Sequence, residues 1–306
     1  MIFEIRNYSN SDFNRAAKFY VRTADGLPLS GNNCSEILIQ KFSRPGYDPS
    51  LNFFIVEYKN ELIGYADLVY EEQIKRAVAD IFVLPPYRRE GLGRDLMSCL
   101  LRRCHDLQVE SLQTNIPEFD QETSSFLLKQ KFSFVRYFHI LERDLSKNLF
   151  LDWEFKDKDS VPDHFKSGEE EELVALQNKI FSGSWGFCPN TVEEIKYYLQ
   201  MTGCRIDDVM CIEAGGRKAG YVWPHILPKD KGRIRMRIHM LGVDPEFRGK
   251  GLGKKILQMA LYQIYKKETI TVELTVDSEN TPAVTLYKSI GFKLKSRIAW
   301  YEKPIK

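Results

Sequence analysis

The sequence predicts an α/β (α+β) protein built from two tandem domains of the same type. Its 306 residues suit two domains of ordinary size. The segment Arg248–Lys254 (RGKGLGK) has an earlier copy, Arg88–Arg94 (RREGLGR), 160 positions upstream. This offset holds without a gap from positions 83 and 243 to positions 132 and 292, which indicates an internal repeat. We therefore expect one domain at residues 1–147 and a second at residues 148–306.

The elements of each half follow from apolar periodicity and from turn residues. Before the glycine-rich segment, the pattern favours a strand, one or two helices and then further strands. The first half predicts strands at Phe3–Asn7, Asn52–Tyr58, Glu61–Tyr70 and Ala77–Leu84, with a helix after Asn10–Asp12. The second half predicts helices at Glu169–Phe181 and Thr191–Met201 and strands at Asp208–Ala214, Lys218–His225 and Ile234–Val243.

After each glycine-rich segment the apolar period changes from that of a strand to that of a helix. Leucine and other apolar residues recur at spacings of three to five, which gives one apolar stripe per helix. A strand, a second helix and a Phe then follow in both copies. The matched stripes are Leu92, Leu96, Met97, Leu100 and Leu101 in the first copy and Leu252, Ile256, Leu257, Ala260 and Leu261 in the second.

Composition limits the class of protein. The formal net charge of +2 gives no overall basic field that would favour nucleic acid. No apolar run approaches the roughly 18 residues of a membrane-spanning helix, and the N-terminus has the pattern of a strand. The six cysteines show no zinc-ligand spacing. We expect a cytoplasmic protein without membrane association, nucleic-acid partner or metal.

A turn of this kind at a helix N-terminus presents successive backbone N–H groups to an anion, usually a phosphate. The spacing fits neither the Rossmann fingerprint nor the P-loop. The pattern Arg-x-x-Gly-x-Gly follows Val243-Asp244-Pro245, and downstream come Asn280, Ala283-x-x-x-Tyr287 and Gly291-Phe292. This combination resembles the GNAT superfamily of N-acetyltransferases. The tandem arrangement is similar in outline to the mycothiol synthases, although no residue transfers their substrate to this chain.

The resemblance implies a fold and a cofactor. Each domain should have a mixed, mostly antiparallel central sheet flanked by helices, and acetyl-CoA should be the co-substrate. The main chain of Leu241, Gly242 and Val243 should meet the pantetheine arm. The loop residues Arg248, Gly249, Lys250, Gly251, Leu252, Gly253 and Lys254 should bind the pyrophosphate. Asn280 either bonds the cofactor or caps the following helix.

The catalytic residues follow from what acetyl transfer needs. By the resemblance, Tyr287 is the general acid that protonates the leaving thiolate. The general base is His239 or Glu213, acting directly or through a water, and the sequence does not choose between them. His239 shares a strand face with Arg235 and Arg237, and this row faces either solvent or an acceptor that carries an anionic group.

The loop that joins the two predicted helices of the second half holds Trp185 and Phe187. In the related folds this junction commonly lines the acceptor site. These rings are therefore either an aromatic wall for the amine or ordinary packing.

The first half departs from the pattern at several positions. Leu127 stands where Tyr287 is, Asp120 replaces Asn280, and Glu90 lies where the second loop has Lys250. A second cofactor site is still a candidate, formed by Val83, Arg88, Arg89, Gly91, Gly93 and Arg94. Asp80 could act as a base in a different mechanism. We expect a catalytically degenerate domain that keeps its fold.

The predicted function is transfer of an acetyl group from acetyl-CoA to a primary amine of a small molecule, in the second domain. Two alternatives stay open: a non-catalytic CoA-binding or sensing protein, and an acetyltransferase for a peptide or protein N-terminus. We expect a monomer or a homodimer, because two fused domains can pair within one chain as separate subunits do in some relatives.

Overall fold

The computed structural model describes residues 1–23, 34–145, 162–201, 204–230, 233–266 and 269–305. The chain divides into two compact units. The first unit is Met1–Tyr137 together with Ile298–Lys306, and the second is Phe138–Arg297. The boundary predicted between residues 147 and 148 lies outside the described residues. The units divide earlier, after Tyr137, and the C-terminal segment from Ile298 returns to the first unit.

The first part of the chain forms a strand, three helices, three strands and then the repeated segment. The short helix at Pro49–Asn52 begins with a side-chain cap, because Asp48 accepts a hydrogen bond from the backbone N–H of Ser50. The elements are β1 (Glu4–Asn7), α1 (Phe13–Thr23), α2 (Cys34–Phe42), α3 (Pro49–Asn52), β2 (Phe53–Tyr58), β3 (Glu61–Glu71), β4 (Arg76–Val83), α4 (Leu92–Asp106), β5 (Ser111–Pro117), α5 (Gln121–Lys129) and β6 (Ser133–Asp144).

The second part repeats this order. Its second helix begins at a capping box in which Thr191 and Glu194 bond each other's backbone N–H groups. The elements are β7 (Asp163–His164), α6 (Glu170–Phe181), α7 (Val192–Gln200), β8 (Met210–Ala214), β9 (Arg217–Asp230), β10 (Arg233–Val243), α8 (Leu252–Lys266), β11 (Thr269–Asp277), α9 (Thr281–Ser289) and β12 (Lys293–Pro304).

The internal repeat is confirmed at the level of single elements. The helices α4 and α8 have matching bounds at an offset of 160, as do α5 and α9 and the strands β6 and β12. A 3₁₀ turn also precedes both glycine-rich segments, at Pro85–Tyr87 and Pro245–Phe247. The shared sequence pattern therefore reflects a shared local fold.

The strands of each unit are paired in a mixed, mostly antiparallel arrangement, as predicted. The strand order is β1-β2-β3-β4-β5-β12 in the first unit and β6-β11-β10-β9-β8-β7 in the second. Only β4–β5 and β10–β11 pair in parallel among the pairings that the described residues define. The last strand of each sequence half therefore completes the sheet of the other unit. Residues 298–304 of β12 pair with β5, and residues 138–144 of β6 pair with β11.

Two apolar clusters cover the two faces of each sheet. In the second unit, α8 and α9 pack on one face around Ile256, Leu257 and Leu274. The helices α6 and α7 pack on the other face around Leu173, Ile195 and Trp223. The first unit is built in the same way. Among the described helices, none has the length and apolar character needed to cross a bilayer.

The exchange of the last strand has a measurable consequence. A chain that ends at Arg297 loses Ala299 and Tyr301, which are buried in the core of the first unit. Loss of about two buried side chains removes several kcal/mol of apolar burial, so we expect the first unit to unfold. Thermal unfolding and limited proteolysis with mass-spectrometric mapping would show this.

The matched control is Tyr301→Phe in the full chain. This variant keeps the buried ring and removes only the bond to the Ser124 hydroxyl, which is 2.8 Å long. We expect it to cost about 1 kcal/mol. If residues 1–137 resist proteolysis equally with and without the C-terminal segment, the exchanged strand is not needed for this unit.

Candidate active site

The candidate site of the second unit lies where the parallel strands β10 and β11 stop pairing. Their last register pair is Ile238 with Leu274. Beyond it, Met240–Val243 continue to pair with β9 on the other side. One edge of this segment therefore has backbone N–H and C=O groups without a strand partner. Such an edge can bind an extended ligand arm through main-chain hydrogen bonds.

His239 is an extra residue in β10 at this point. Ile238 pairs with Pro224 and Met240 pairs with Trp223, so His239 has no partner of its own and forms a β-bulge. In the first unit the β3–β4 ladder runs from Gly64–Val83 to Glu71–Arg76 without such a shift. The bulge is therefore a feature of the second unit that the repeat does not share.

The imidazole of His239 has an aromatic environment. The ring centroids of Trp223 and Tyr198 lie 5.5 Å and 5.9 Å from it. Its side chain is still open to solvent on one side. The surrounding protein desolvates the ring, and His225 and Arg237 add repulsion, so that the pKa of His239 falls to about 4. The ring is therefore neutral at neutral pH and can accept a proton.

Glu213, the other candidate base, lies elsewhere. It is exposed near the end of β8 and pairs with Lys218 of β9. His239 lies beside Trp223, five residues further along β9. At about 3.3 Å per residue this separates the two candidates by roughly 16 Å along the strand. The structure does not bring them together.

Tyr287 is buried in α9, with 6% of its surface exposed, and packs edge-on against Phe292. Burial raises the pKa of its hydroxyl to about 12. Gly253, at the start of α8, lies close to two other elements, since a Cβ added there would be 3.6 Å from Leu286 of α9 and 3.6 Å from Val243 of β10. The helix that carries Tyr287 therefore contacts the start of α8 and lies near the end of β10.

The predicted phosphate loop has the expected backbone. Gly249 and Gly251 have φ angles of +78° and +77°, which an L side chain rarely adopts. Lys250 and Lys254 are exposed, and neither forms an ion pair within the described residues. The positive charge of this loop is therefore available to an anionic ligand.

Arg248 connects the loop to the rest of the second unit. Its guanidinium donates to the carbonyl of Val243 at 3.1 Å and to that of Ile180 at 2.8 Å. It thus ties the loop to the end of β10 and to the end of α6. Lys179 adds a second tie through its ion pair with Asp244, at 2.8 Å, which the sequence did not suggest. Gly242 permits the close approach of α6 to β10, because a Cβ at this position would lie 2.4 Å from Ile180.

Asn280 forms the helix cap that was one of its two predicted roles. Its Oδ1 accepts from the backbone of Ala283 at 3.2 Å. Asp120 caps α5 in the same way, through the backbone of Thr123 at 2.9 Å. A helix cap is thus common to both units, whichever residue supplies it.

The two arginines of the basic row on β10 share one carboxylate. Arg235 bonds Glu273 of β11 at 2.9 Å, and Arg237 bonds the same carboxylate through two nitrogens. Burial alone would raise the pKa of Glu273, but Arg237, Lys295 and Arg235 hold it below its ordinary value. Glu273 was not identified from the sequence, because one Glu on a strand gives no signal of its partners.

The aromatic loop between α6 and α7 is half-buried. Trp185 packs against Phe138, with ring centroids 6.0 Å apart, and Phe187 packs against Phe181 at 5.6 Å. Trp223 and Tyr198, which the sequence did not single out, provide the rings nearest to His239.

The first unit keeps the loop but compensates its charge. Arg88 again bonds the carbonyl at the strand end, Val83, at 3.0 Å. Glu122 pairs with Arg88 at 3.1 Å and with Arg89 at 3.2 Å. Arg89 occupies the position of Gly249 with a φ of +69°.

The other predicted residues of this loop also have counterparts. Gly91 has a φ of +91°, and a Cβ on Gly93 would lie 3.4 Å from Phe126. Arg94 is exposed, and Leu127, at the position of Tyr287, is buried. Among the described residues there is no group of three or more His, Cys, Asp or Glu side chains arranged to hold a metal ion.

Comparison with known proteins agrees with this geometry. The profile of the acetyltransferase (GNAT) family matches residues 26–132 and 170–292. The mycothiol acetyltransferase of Thermobispora bispora is 32% identical over 283 residues, covering 88% of each chain. That of Saccharomonospora viridis is 26% identical over 245 residues, covering 76% of each.

Among solved structures, a tandem GNAT protein from the clavulanic acid biosynthesis pathway superposes with a TM-score of 0.71. It is 16% identical, and the match covers 100% of this chain and 99% of that one. This likeness concerns the fold, and it agrees with the duplicated arrangement of sheets and helices. The two separate matches to the family profile cover both sequence halves. The chain therefore belongs to the acetyltransferase (GNAT) family, as an acyltransferase built from two tandem GNAT domains.

Proposed function

We propose that the second unit transfers an acetyl group from acetyl-CoA to the primary amine of a small molecule. The observation that carries this proposal is the difference between the units at the same place in the fold. The second unit combines a bulged His239, Tyr287 and a loop whose lysines have no acidic partner within the described residues. The first unit has no bulge, has Leu127 and pairs its loop arginines with Glu122.

The cofactor would be bound mainly by the main chain. The N–H groups at the start of α8 and the charges of Lys250 and Lys254 suit the pyrophosphate. The unpaired edge of Leu241–Val243 suits the amide groups of the pantetheine arm. This arrangement directs the thioester toward the gap between β10 and β11, beside His239.

His239 is the base in this proposal. An acceptor amine is mostly protonated at neutral pH and must lose a proton before it can attack. The neutral imidazole accepts that proton, directly or through a water, and passes it to solvent. Glu213 is too far along the sheet to serve the same gap.

The amine nitrogen then forms a bond to the thioester carbonyl carbon. Backbone N–H groups at the unpaired edge of β10 can stabilise the negative charge on the carbonyl oxygen. As the C–S bond breaks, the sulfur takes the electron pair and Tyr287 supplies a proton. With a pKa of about 12, this hydroxyl is protonated and His239 is neutral between about pH 4 and about pH 12. The products are the acetamide and free CoA.

A small-molecule acceptor is supported by the relatives, which are named mycothiol acetyltransferases. The half-buried ring of Tyr198 beside His239 is suited to holding an amine through cation–π contact until it is deprotonated.

Tyr287→Phe tests the general acid. The change keeps the buried ring and removes only the hydroxyl, so we expect kcat to fall about 10²- to 10⁴-fold. The affinity for acetyl-CoA should stay nearly unchanged. Steady-state assay of CoA release with a panel of primary amines, together with calorimetric titration of acetyl-CoA, separates the two quantities.

The same experiment distinguishes the alternatives. Unchanged turnover in Tyr287→Phe would exclude the tyrosine as the acid. A wild-type protein that binds acetyl-CoA but acetylates none of the amines would favour a sensing role or a peptide acceptor, which peptides with free N-termini would reveal.

Gly251→Asp and Gly91→Asp test which loop binds the cofactor. Both glycines have positive φ, and no atom lies within 4 Å of the place where a Cβ would be, so the two variants are matched. Calorimetry should give one acetyl-CoA site that Gly251→Asp abolishes through charge repulsion and Gly91→Asp leaves intact. Two sites in the wild-type protein would show that the first unit also binds the cofactor.

The ionisation of His239 can be measured directly. We expect its imidazole to titrate near pH 4, because burial and neighbouring positive charge disfavour the protonated ring. The ring should therefore stay neutral as the pH falls through 6.5 and become protonated only near pH 4. NMR titration of the histidine resonances, assigned with His239→Gln, is the measurement. Titration near the ordinary value of about 6.5 would contradict the proposed environment.

A further inference from the structure

Three cations of the second unit converge on one carboxylate. Arg235 and Arg237 of β10 both bond Glu273 of β11, and the ammonium of Lys295 on β12 lies 3.4 Å from the same group. Lys295 also pairs with Glu142 of β6 at 2.7 Å. These five side chains are called the basic cluster below.

The basic cluster holds more positive than negative charge. Its three cations face two carboxylates, which leaves one positive charge in excess. Within the described part of the chain, no other acid forms an ion pair with these cations. Glu273 is only 5% exposed, so the charges that surround it lie against protein rather than in bulk water. Incomplete compensation costs free energy in such a place, and a bound anion would lower that cost.

The two arginines keep donors that a ligand can use. Arg235 donates to Glu273 through Nη2, while Arg237 uses Nε and Nη2. Among the described residues, the Nη1 group of each arginine has no acceptor. The side chains are 20% and 31% exposed, so a ligand can reach them. A guanidinium that is already held by one carboxylate is a fixed donor for another.

The basic cluster lies beside the proposed base. Arg237 precedes His239 by two residues on β10, which places their Cα atoms roughly 6 to 7 Å apart. Desolvation is the main cause of the lowered pKa of His239, and the two charges that add to it, those of His225 and Arg237, are positive. A simple ammonium ion would therefore be repelled here, whereas an amine that also carries an anion would not.

A buried donor next to His239 indicates the same kind of ligand. Trp223 is 1% exposed, and its ring centroid lies 5.5 Å from that of His239. Its Nε1 is buried and has no hydrogen-bond partner among the described residues. Buried polar groups without a partner are rare in native proteins. The surroundings of His239 thus hold more donors than acceptors, and a ligand with acceptor oxygens suits them.

The first unit has a different pair at this level. Val78 pairs with Gln113 in register where the second unit has Arg237 with Glu273. An apolar side chain and an amide therefore serve in the repeated strands of the first unit. The charged pair is not a requirement of the fold that the two units share.

The size of the charge excess favours a carboxylate over a phosphate. One positive charge is balanced by one carboxylate, whereas a phosphate monoester has a charge of about −1.5 to −2 at pH 7. The planar guanidinium group also matches the geometry of carboxylate oxygens.

We propose that the acceptor of the second unit is an amine that also carries a carboxylate, and that Arg237 binds this carboxylate beside His239. This inference rests on the acetyl transfer proposed above and names the class of acceptor. The amine would lie at His239, and the carboxylate would accept from the Nη1 groups of Arg237 and Arg235. The zwitterionic form of such an acceptor has no net charge and so avoids the repulsion that a simple ammonium ion would meet.

The test compares acceptors that differ only in the anionic group. CoA release is measured with β-alanine, 4-aminobutyrate and 5-aminovalerate and with the amino alcohols of the same chain lengths. We expect the wild-type protein to show the higher kcat/KM with the amino acids. Arg237→Gln should lower this preference about 10- to 100-fold, because it removes a charge-assisted hydrogen bond.

Two further variants are the controls. Arg237→Lys keeps the charge and should retain part of the preference for amino acids. Arg205→Gln removes an exposed arginine that pairs with Asp207, and it should leave the preference unchanged. In Arg237→Gln, Glu273 keeps two of its cations, so we expect a folded protein. Thermal unfolding and calorimetric titration of acetyl-CoA check that the fold and cofactor binding are intact.

Binding is measured separately from turnover, so that failure of the catalytic proposal is distinguishable. The protein saturated with CoA is titrated with 4-acetamidobutyrate and with its neutral primary amide, and saturation-transfer NMR reports the affinity. If no amine is acetylated but 4-acetamidobutyrate binds and Arg237→Gln weakens that binding, acetyl transfer to these amines is refuted and the anion site is supported.

The inference is overturned if the wild-type protein uses the amino alcohols as well as the amino acids. It is also overturned if Arg237→Gln lowers kcat/KM equally for both, because a purely structural role would act in that way. Absence of acetylation together with absence of Arg237-dependent binding would contradict it as well. A preference for 3-aminopropylphosphonate over 4-aminobutyrate would refute the choice of carboxylate.

Discussion

The separation of two parallel strands is the constraint on which the rest of the second unit depends. β10 and β11 pair through Ile238 and Leu274 and then part. Separation leaves backbone groups of Leu241–Val243 without a strand partner on one side, and unpaired backbone groups cost free energy where water is excluded. Arg248 bonds one of them, the carbonyl of Val243. We propose that the amide groups of a ligand bond others.

Charge compensation distinguishes the two units although their backbones repeat. At the position of Pro282, the first unit has Glu122, which forms ion pairs with Arg88 and Arg89. Where the second unit has the apolar pair Trp223 and Met240 beside the neutral imidazole of His239, the first unit has the acidic pair Asp67 and Asp80. A duplicated fold keeps its apolar pattern because the core requires it, while the charges around the gap are free to change. The difference in function that we propose for the two units therefore rests on few substitutions.

The repeated helices and strands could be predicted from the sequence, because apolar periodicity is a local property. The exchange of β6 and β12 could not, since an alternating strand carries no information about which sheet it joins. The sequence pattern identified the loop and Tyr287, but it did not reveal the two hydrogen bonds that Arg248 donates to the carbonyls of Val243 and Ile180. The bulge at His239 also escaped prediction, because one extra residue is visible only against the partner strand.

The ion cluster on β10 explains why the strands part where they do. Arg237 and Glu273 are register partners one step before the last pair of the ladder. Two guanidinium groups and Lys295 converge on this one carboxylate, which is 5% exposed. Removing Glu273 would leave these cations without their shared carboxylate, so the cluster holds β10 and β11 together up to this level. The bulge at His239 follows two residues later and redirects β10. A fixed clamp followed directly by a bulge therefore sets the position of the gap, and with it the position of the proposed base.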